Sequence, residues 1–266
     1  MEKNCIVIPV YNDLENNSNY SKCIDTWKYY CALHGIDLML VRGYKYTPIG
    51  HPDYAAMCFD RWSDVDPSIF DYDRITFVDA DTIVRWDAFD FNQVFKDNKL
   101  EIVVVPDQAG VGTANYHLNQ WLGCNPQAFS IVTKYFNAGF VSMKSTHLKE
   151  FQKELKKYRD YYYSEKDINC HMQGIGKEGG VRIDAMDQTA VNIALQDLFS
   201  KEITFVTKEF NCQVPYLFQL QERFLKEYKS FEFLNAGIIF HLGSTTLAYT
   251  EVVNDYWSLF GNNYTL

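Results

Sequence analysis

Two aspartates separated by one small residue, Asp79-Ala80-Asp81, follow the run Ile75-Thr76-Phe77-Val78 and precede a second one, Thr82-Ile83-Val84. Carboxylates in apolar sequence need partners, because an unpaired buried charge is costly. Residues i and i+2 of a strand face the same side roughly 7 Å apart, so a slight bend at the strand end lets both reach one divalent cation. Hard oxygen ligands suit Mg2+ or Mn2+, and such ions are usually shared with substrate phosphates. Ala80 is small enough to let a ligand come close. The plain alternative is a loop whose two aspartates cap a turn or a helix start.

Other chemistry-bearing residues also sit at the ends of apolar or periodic segments. His241 ends Ile238-Ile239-Phe240. It is either a metal ligand or a hydrogen-bonded core histidine. Arg61 lies on the predicted helix before the aspartate pair, where it supplies fixed positive charge to an anionic ligand or is simply an exposed helix arginine. Asp187 and Gln188 open a predicted helix, a place where an aspartate is also a good cap. Gly139, in Asn137-Ala138-Gly139, permits close approach of a ligand to the backbone.

The elements that must position these residues are legible as strands and helices in alternation. Cys5–Val10 is a continuous apolar run closed by Tyr11 and Asn12, the pattern of a buried parallel strand. Residues 21–34 carry helical spacing at Cys23, Trp27, Tyr30 and Cys31, with Gly35 as C-cap. A strand over 36–41 completes a β-α-β unit. A helix is predicted over 53–62, a turn at Asp66-Pro67, and strands over 74–78 and 102–105. A short strand is expected over 140–143, a solvated surface helix over 147–163 and a Gly-rich loop over 168–180. A helix over 187–199 and short strands over 203–206 and 238–240 follow. This order predicts an α/β sheet extended by a smaller mixed subdomain. In such sheets ligands sit outside the carboxyl ends of the strands.

Composition narrows the function classes. The 266 residues are 47% hydrophobic and 22% charged, so the chain can bury a core. A net charge of −9 disfavours a broad nucleic-acid or anionic-lipid face. The seven cysteines are odd in number, widely spaced and without a C-x-x-C pair, which argues against a disulfide framework and a structural zinc. The first apolar run is too short for a signal-peptide core or a membrane span. These features predict a soluble protein of a reducing compartment, the cytoplasm.

Phe77-Val-Asp-Ala-Asp-Thr-Ile-Val84 resembles the D-x-D strand of GT-A nucleotide-sugar glycosyltransferases, in particular the retaining, family-eight-like glycogenin and galactinol-synthase type. Further segments resemble that type in the expected order: Val105-Pro-Asp107, Phe136-Asn-Ala-Gly-Phe-Val141, Asp187-Gln-Thr-Ala-Val-Asn192 and Ile239-Phe-His-Leu-Gly243. The resemblance spans about residues 5 to 245. The late segment departs from the type: His241-Leu-Gly243 is followed by Ser244-Thr245-Thr246, not by Lys-Pro-Trp.

The resemblance implies a GT-A fold, a Rossmann-like mixed sheet flanked by helices with a smaller C-terminal acceptor-side subdomain. Residues 1–105 would form the nucleotide-binding half and 106–266 the donor-sugar and acceptor half of one domain. It implies a transfer of sugar from a nucleotide sugar, a UDP-sugar, to an acceptor hydroxyl on a glycan, glycolipid or protein, with retention and with Mn2+ or Mg2+. Asp81 would be the main metal ligand, Asp79 would contact metal and ribose, and His241 would complete the set. Pro9, Val10 and Tyr11 would cradle base and ribose, Tyr11 either stacking on the base or merely closing the strand. Ala80 and Gly243 would lie against the nucleotide, and Arg61 against the diphosphate or sugar. Asn137 and Gly139 would sit near the donor sugar. Asp187 and Gln188 would bind sugar hydroxyls, or Asp187 would be the general base of an inverting enzyme. Asp107 would lie near the acceptor.

Two rival readings differ in class. Asp79-Ala-Asp-Thr-Ile83 nearly fits the D-x-D-x-[TV] nucleophile motif of haloacid-dehalogenase-type phosphatases, although a β-α-β unit precedes it here. A sugar-binding scaffold with a decayed transferase fold is the other, and the intact aspartate pair argues against it.

Overall fold

The computed structural model describes residues 2–11, 16–42, 54–63, 65–119, 121, 125–164, 186–213, 237–242 and 247–265. Strand β1 (Asn4–Pro9) is apolar from Cys5 on because both of its sides face inward. Cys5 and Val7 belong to one hydrophobic cluster, Ile6 and Ile8 to the other. This is the signature of a strand covered on both faces. Helix α1 (Ser18–His34) starts at Asn17, whose side chain accepts from the Asn19 N–H. It ends at Gly35, which takes the left-handed conformation (φ 65°) predicted for a C-cap glycine. Strand β2 (Asp37–Val41) then returns parallel to β1.

The chain continues through α2 (Tyr54–Ser63), β3 (Arg74–Val78), β4 (Thr82–Val84), α3 (Phe91–Asp97), β5 (Ile102–Pro106) and α4 (Val111–Asn119). After these come β6 (Phe136–Lys144), α5 (Ser145–Ser164), α6 (Met186–Phe199), β7 (Ile203–Phe205), β8 (Cys212–Gln213), β9 (Ile239–His241) and α7 (Leu247–Phe260). Asp66 caps the 3-10 turn that opens with Pro67, as the sequence predicts. Six strands form one sheet in the order β2-β1-β3-β6-β5-β7. Strand β6 runs antiparallel to both of its neighbours, and the remaining pairs are parallel. Helices cover both faces. Phe59, Trp62, Phe151, Ala190 and Leu195 from α2, α5 and α6 share a cluster with Val7, Phe77 and Val104. Trp27, Tyr30, Phe91 and Phe95 from α1 and α3 share the other with Ile6, Val78 and Val103. This is the α/β architecture read from the sequence.

The second part holds a small sheet, β4-β9-β8, which takes β4 from the first half of the chain. Three expectations need correction. The helix over 147–163 is not merely a solvated one: Leu148, Phe151, Leu155 and Tyr158 form a narrow buried stripe on α5, which the many charges around it mask in sequence. The strand expected over 140–143 begins at Phe136, because Phe136 and Asn137 pair with Pro106 and Val105 beyond a register shift at Val104/Val105. The aspartate pair is not on a strand: β3 ends at Val78, and residues 79–81 form the turn into β4. The predicted loop over 168–180 lies outside the described residues.

Candidate active site

The 79–81 turn is tied down by backbone on three sides. The Asp79 N–H donates to the Gly139 carbonyl of β6 at 3.2 Å. The Asp79 carbonyl accepts from the Thr82 N–H at 3.2 Å and from Thr82 Oγ1 at 2.5 Å. The Asp81 carbonyl accepts from the Leu242 N–H at 3.0 Å. Trp27 Nε1 donates in turn to Thr82 Oγ1 at 2.9 Å. Side chains on such a turn have little freedom left, which is what a preorganised ligand set requires.

His241 reaches this turn because β4 and β9 pair antiparallel with Thr82 opposite His241. Its Nε2 lies 3.3 Å from Asp79 Oδ2 and 3.5 Å from Asp81 Oδ1. Asp79, Asp81 and His241 each offer one ligand atom, and these atoms lie within 4.8 Å of one another. The opposite ring nitrogen, Nδ1, is buried with no hydrogen-bond partner among the described residues. The ring lies against Gly139: a Cβ added there would stand 2.5 Å from His241 Cε1 and 2.6 Å from Nδ1. Gly139 is thus needed for the packing of the site's own histidine. The expected close approach is made by a side chain. Two carboxylates and an imidazole converging in this way fit a hard divalent cation.

Arg61 is not the exposed helix arginine that was one of its two sequence readings. It is 8% exposed and bridges the two acidic motifs. Its Nη1 pairs with Asp79 Oδ1, and its Nη2 donates to the Ala138 carbonyl at 3.3 Å. Asp187 Oδ2 receives Arg61 Nε at 3.0 Å, Arg61 Nη2 at 2.7 Å and Trp62 Nε1 at 2.9 Å. Asp187 itself is 6% exposed, in the first turn of α6.

Gln188 extends the site toward β5. Its Oε1 accepts from the Ala138 N–H at 3.2 Å and from Asn137 Nδ2 at 3.0 Å. Its Nε2 donates to Asp107 Oδ2 at 2.9 Å. Asn137 Oδ1 accepts from the Gly139 N–H at 2.8 Å. Behind them, Tyr135 is buried and its phenol is held neutral by that burial. Asn192 clamps α6 to β6 by accepting from the Phe136 N–H at 2.8 Å and donating to the Phe136 carbonyl at 2.8 Å.

The remaining predicted residues are less gathered. Pro9 ends β1 and Val10 is buried. Tyr11 is 3% exposed and belongs to the larger core cluster, which matches the strand-closing alternative rather than an open stacking ring. Ala80 is buried at the centre of the turn, and Gly243 lies outside the described residues. Sequence reasoning passed over Trp62, Tyr135, Asn211 and Gln213, all of which join this network. Asn211-Cys212-Gln213 gives a faint signal as a polar alternation after a short apolar strand.

No family model matches the sequence, and no curated protein matches it. Solved structures do. One is a glycosyltransferase involved in the glycosylation of the major capsid of PBCV-1, with a TM-score of 0.59 at 11% identity over 95% of this chain and 99% of that one. Another is the bifunctional glycosyltransferase WbbM in its apo form, with a TM-score of 0.55 at 14% identity over 99% of this chain. This chain spans 50% of the WbbM chain. The likeness is one of fold: the chain has the GT-A type of glycosyltransferase fold.

Proposed function

We propose that the chain is a metal-dependent glycosyltransferase that moves a sugar from a nucleotide-sugar donor, a UDP-sugar, to an acceptor hydroxyl on a glycan, glycolipid or protein. The carrying observation is the convergence of Asp79, Asp81 and His241 within 4.8 Å where β3 gives way to β4. The Nε2 of His241, which faces an oxygen of Asp79 and one of Asp81, fits with them a bound Mn2+ or Mg2+ held by these three residues. A cation there supplies charge neutralisation for the departing diphosphate. Nucleotide binding is assigned to residues 1–105, with Pro9, Val10 and Ala80 toward the base and ribose and Tyr11 closing the strand behind them. Donor sugar and acceptor are assigned to 106–266, through Asn137, Gly139, Gln188, Gly243 and Asp107.

Arg61 contributes the fixed positive charge that a leaving diphosphate or its sugar requires, already aimed by Asp187 and Trp62. The hydrogen bonds on Asp187 Oδ2 favour a positioning role over proton abstraction. The departing phosphate oxygen is then the acceptor for the hydroxyl proton, and transfer proceeds with retention. That course agrees with the glycogenin and galactinol-synthase resemblance. An Asp79 nucleophile of the phosphatase kind is disfavoured, since Oδ1 is paired with Arg61 and Oδ2 faces His241. The free thiols of Cys5, Cys23 and Cys31 accord with a reducing, cytoplasmic setting.

Titration calorimetry with UDP and Mn2+ tests this reading, followed by incubation with a UDP-sugar panel. Binding that needs the metal, slow donor hydrolysis, and loss of both in Asp81→Ala are expected. Absence of nucleotide binding by the wild-type chain would falsify it.

A further inference from the structure

Strand β8 brings an unassigned pair of amides to the site. Gln213 pairs with His241 in the parallel β8-β9 ladder, so it stands beside the histidine of the acidic triad. Asn211, just before β8, donates through Nδ2 to Asn137 Oδ1 at 2.8 Å. Both side chains are buried, Asn211 at 0% and Gln213 at 4% exposure.

Backbone donors fix which end of each amide points where. The Gly139 N–H marks the Asn137 oxygen, so Asn211 must present its NH2 group there. The Gln108 N–H donates to Gln213 Oε1 at 3.3 Å, and Gln108 Nε2 donates to the Asn211 carbonyl at 2.7 Å. Two polar atoms are then left buried without a partner among the described residues, the acceptor Asn211 Oδ1 and the donor Gln213 Nε2. An unpaired buried polar atom is costly, and two of opposite sense beside a reaction centre point to a ligand that supplies both. A hydroxyl both donates and accepts, so adjacent sugar hydroxyls have the required chemistry.

Resting on the glycosyltransferase reading above, we propose that Asn211 and Gln213 read hydroxyl groups of the transferred sugar and set donor preference. Asn211 takes a hydroxyl hydrogen on Oδ1, and Gln213 gives an amide hydrogen from Nε2. Gln108, next to Asp107, is the positioning residue that holds Gln213 in orientation.

Donor hydrolysis without acceptor isolates this step. Gln213→Glu keeps an oxygen for the Gln108 N–H and removes the orphan donor, and Gln213→Leu removes both groups without adding charge. Each variant is assayed with the preferred UDP-sugar and with analogues lacking or inverting single ring hydroxyls. Melting temperature and UDP-Mn2+ affinity report folding and the nucleotide site. The proposal expects kcat/KM for the preferred donor to fall by about tenfold or more, with one deoxy or epimeric donor spared, so that the ranking of donors changes. A uniform loss across all donors, or an unchanged ranking with intact UDP-Mn2+ binding, overturns it. Failure of wild-type UDP binding would instead overturn the broader reading.

Discussion

Arg61 grips one oxygen of Asp187 with two nitrogens, Nε at 3.0 Å and Nη2 at 2.7 Å, while its third nitrogen holds Asp79. A planar fork can do this and an ammonium cannot. Arg61→Ala leaves Asp187 buried without its counter-charge, a change that costs about 3–5 kcal/mol of stability. Arg61→Lys keeps a charge and loses the second contact, so donor turnover should remain depressed by about 100-fold or more, the scale for loss of an oriented charge. Denaturant melts and donor-hydrolysis kinetics on both variants check this. Full activity in the lysine variant would contradict it.

Gly139→Ala puts a methyl group inside van der Waals contact of the His241 ring. The methyl would stand 2.5 Å from His241 Cε1 and 2.8 Å from Asn137 Oδ1, so the imidazole must leave its position beside the aspartates. We expect Mn2+ affinity, read by paramagnetic resonance, to fall by about tenfold or more, because the ligand's orientation is lost. Ordinary affinity would mean that the histidine does not belong to the ligand set.

Asn192 makes paired hydrogen bonds with the backbone of Phe136 and so fixes α6 to the start of β6. Asn192→Leu, similar in volume, leaves the Phe136 N–H and carbonyl buried and unpaired. A loss of about 2–5 kcal/mol is expected from two such groups. Hydrogen exchange should show the Phe136 amide among the protons that lose most protection.

Alkaline stability depends on phenols that folding shields from water, fully at Tyr256 and partly at Tyr20 and Tyr72. Burial, the largest cause in each case, pushes Tyr20, Tyr72 and Tyr256 from 10.0 to about 12. The folded state holds these protons more tightly than the unfolded one, so their stabilisation is complete below pH 10.0 and is lost as pH rises toward about 12. Phenolate absorbance and unfolding should rise together across that window. Phenolate appearing near pH 10.0 in the native protein would contradict this shielding.

Much of the scaffold was legible because its signals are local. A strand covered on both faces is a continuous apolar run, as in Cys5–Val10, and Gly35 marks a helix end by itself. The candidate site was legible where a charged residue interrupts such a run, as at Asp79, Asp81 and His241. Arg61 was ambiguous because its partners lie on other elements, Asp79 after β3 and Asp187 on α6, and no local pattern announces them. The amide chain through Asn137, Asn211 and Gln213 was opaque for the same reason. Each link is a tertiary hydrogen bond, and polar residues near a strand end otherwise read as a turn. The buried stripe of α5 was lost among its lysines and glutamates, since four apolar positions suffice to seat a helix on a sheet.

The candidate triad is assembled from distant parts of the chain, with its aspartates in the turn between β3 of one sheet and β4 of the other and its histidine on β9. A ribosome-bound fragment ending before the last strand therefore has no imidazole to offer, however well its larger sheet has formed. Under the proposed metal reading, cation capture would report that β9 has paired with β4 and brought the histidine to the aspartates.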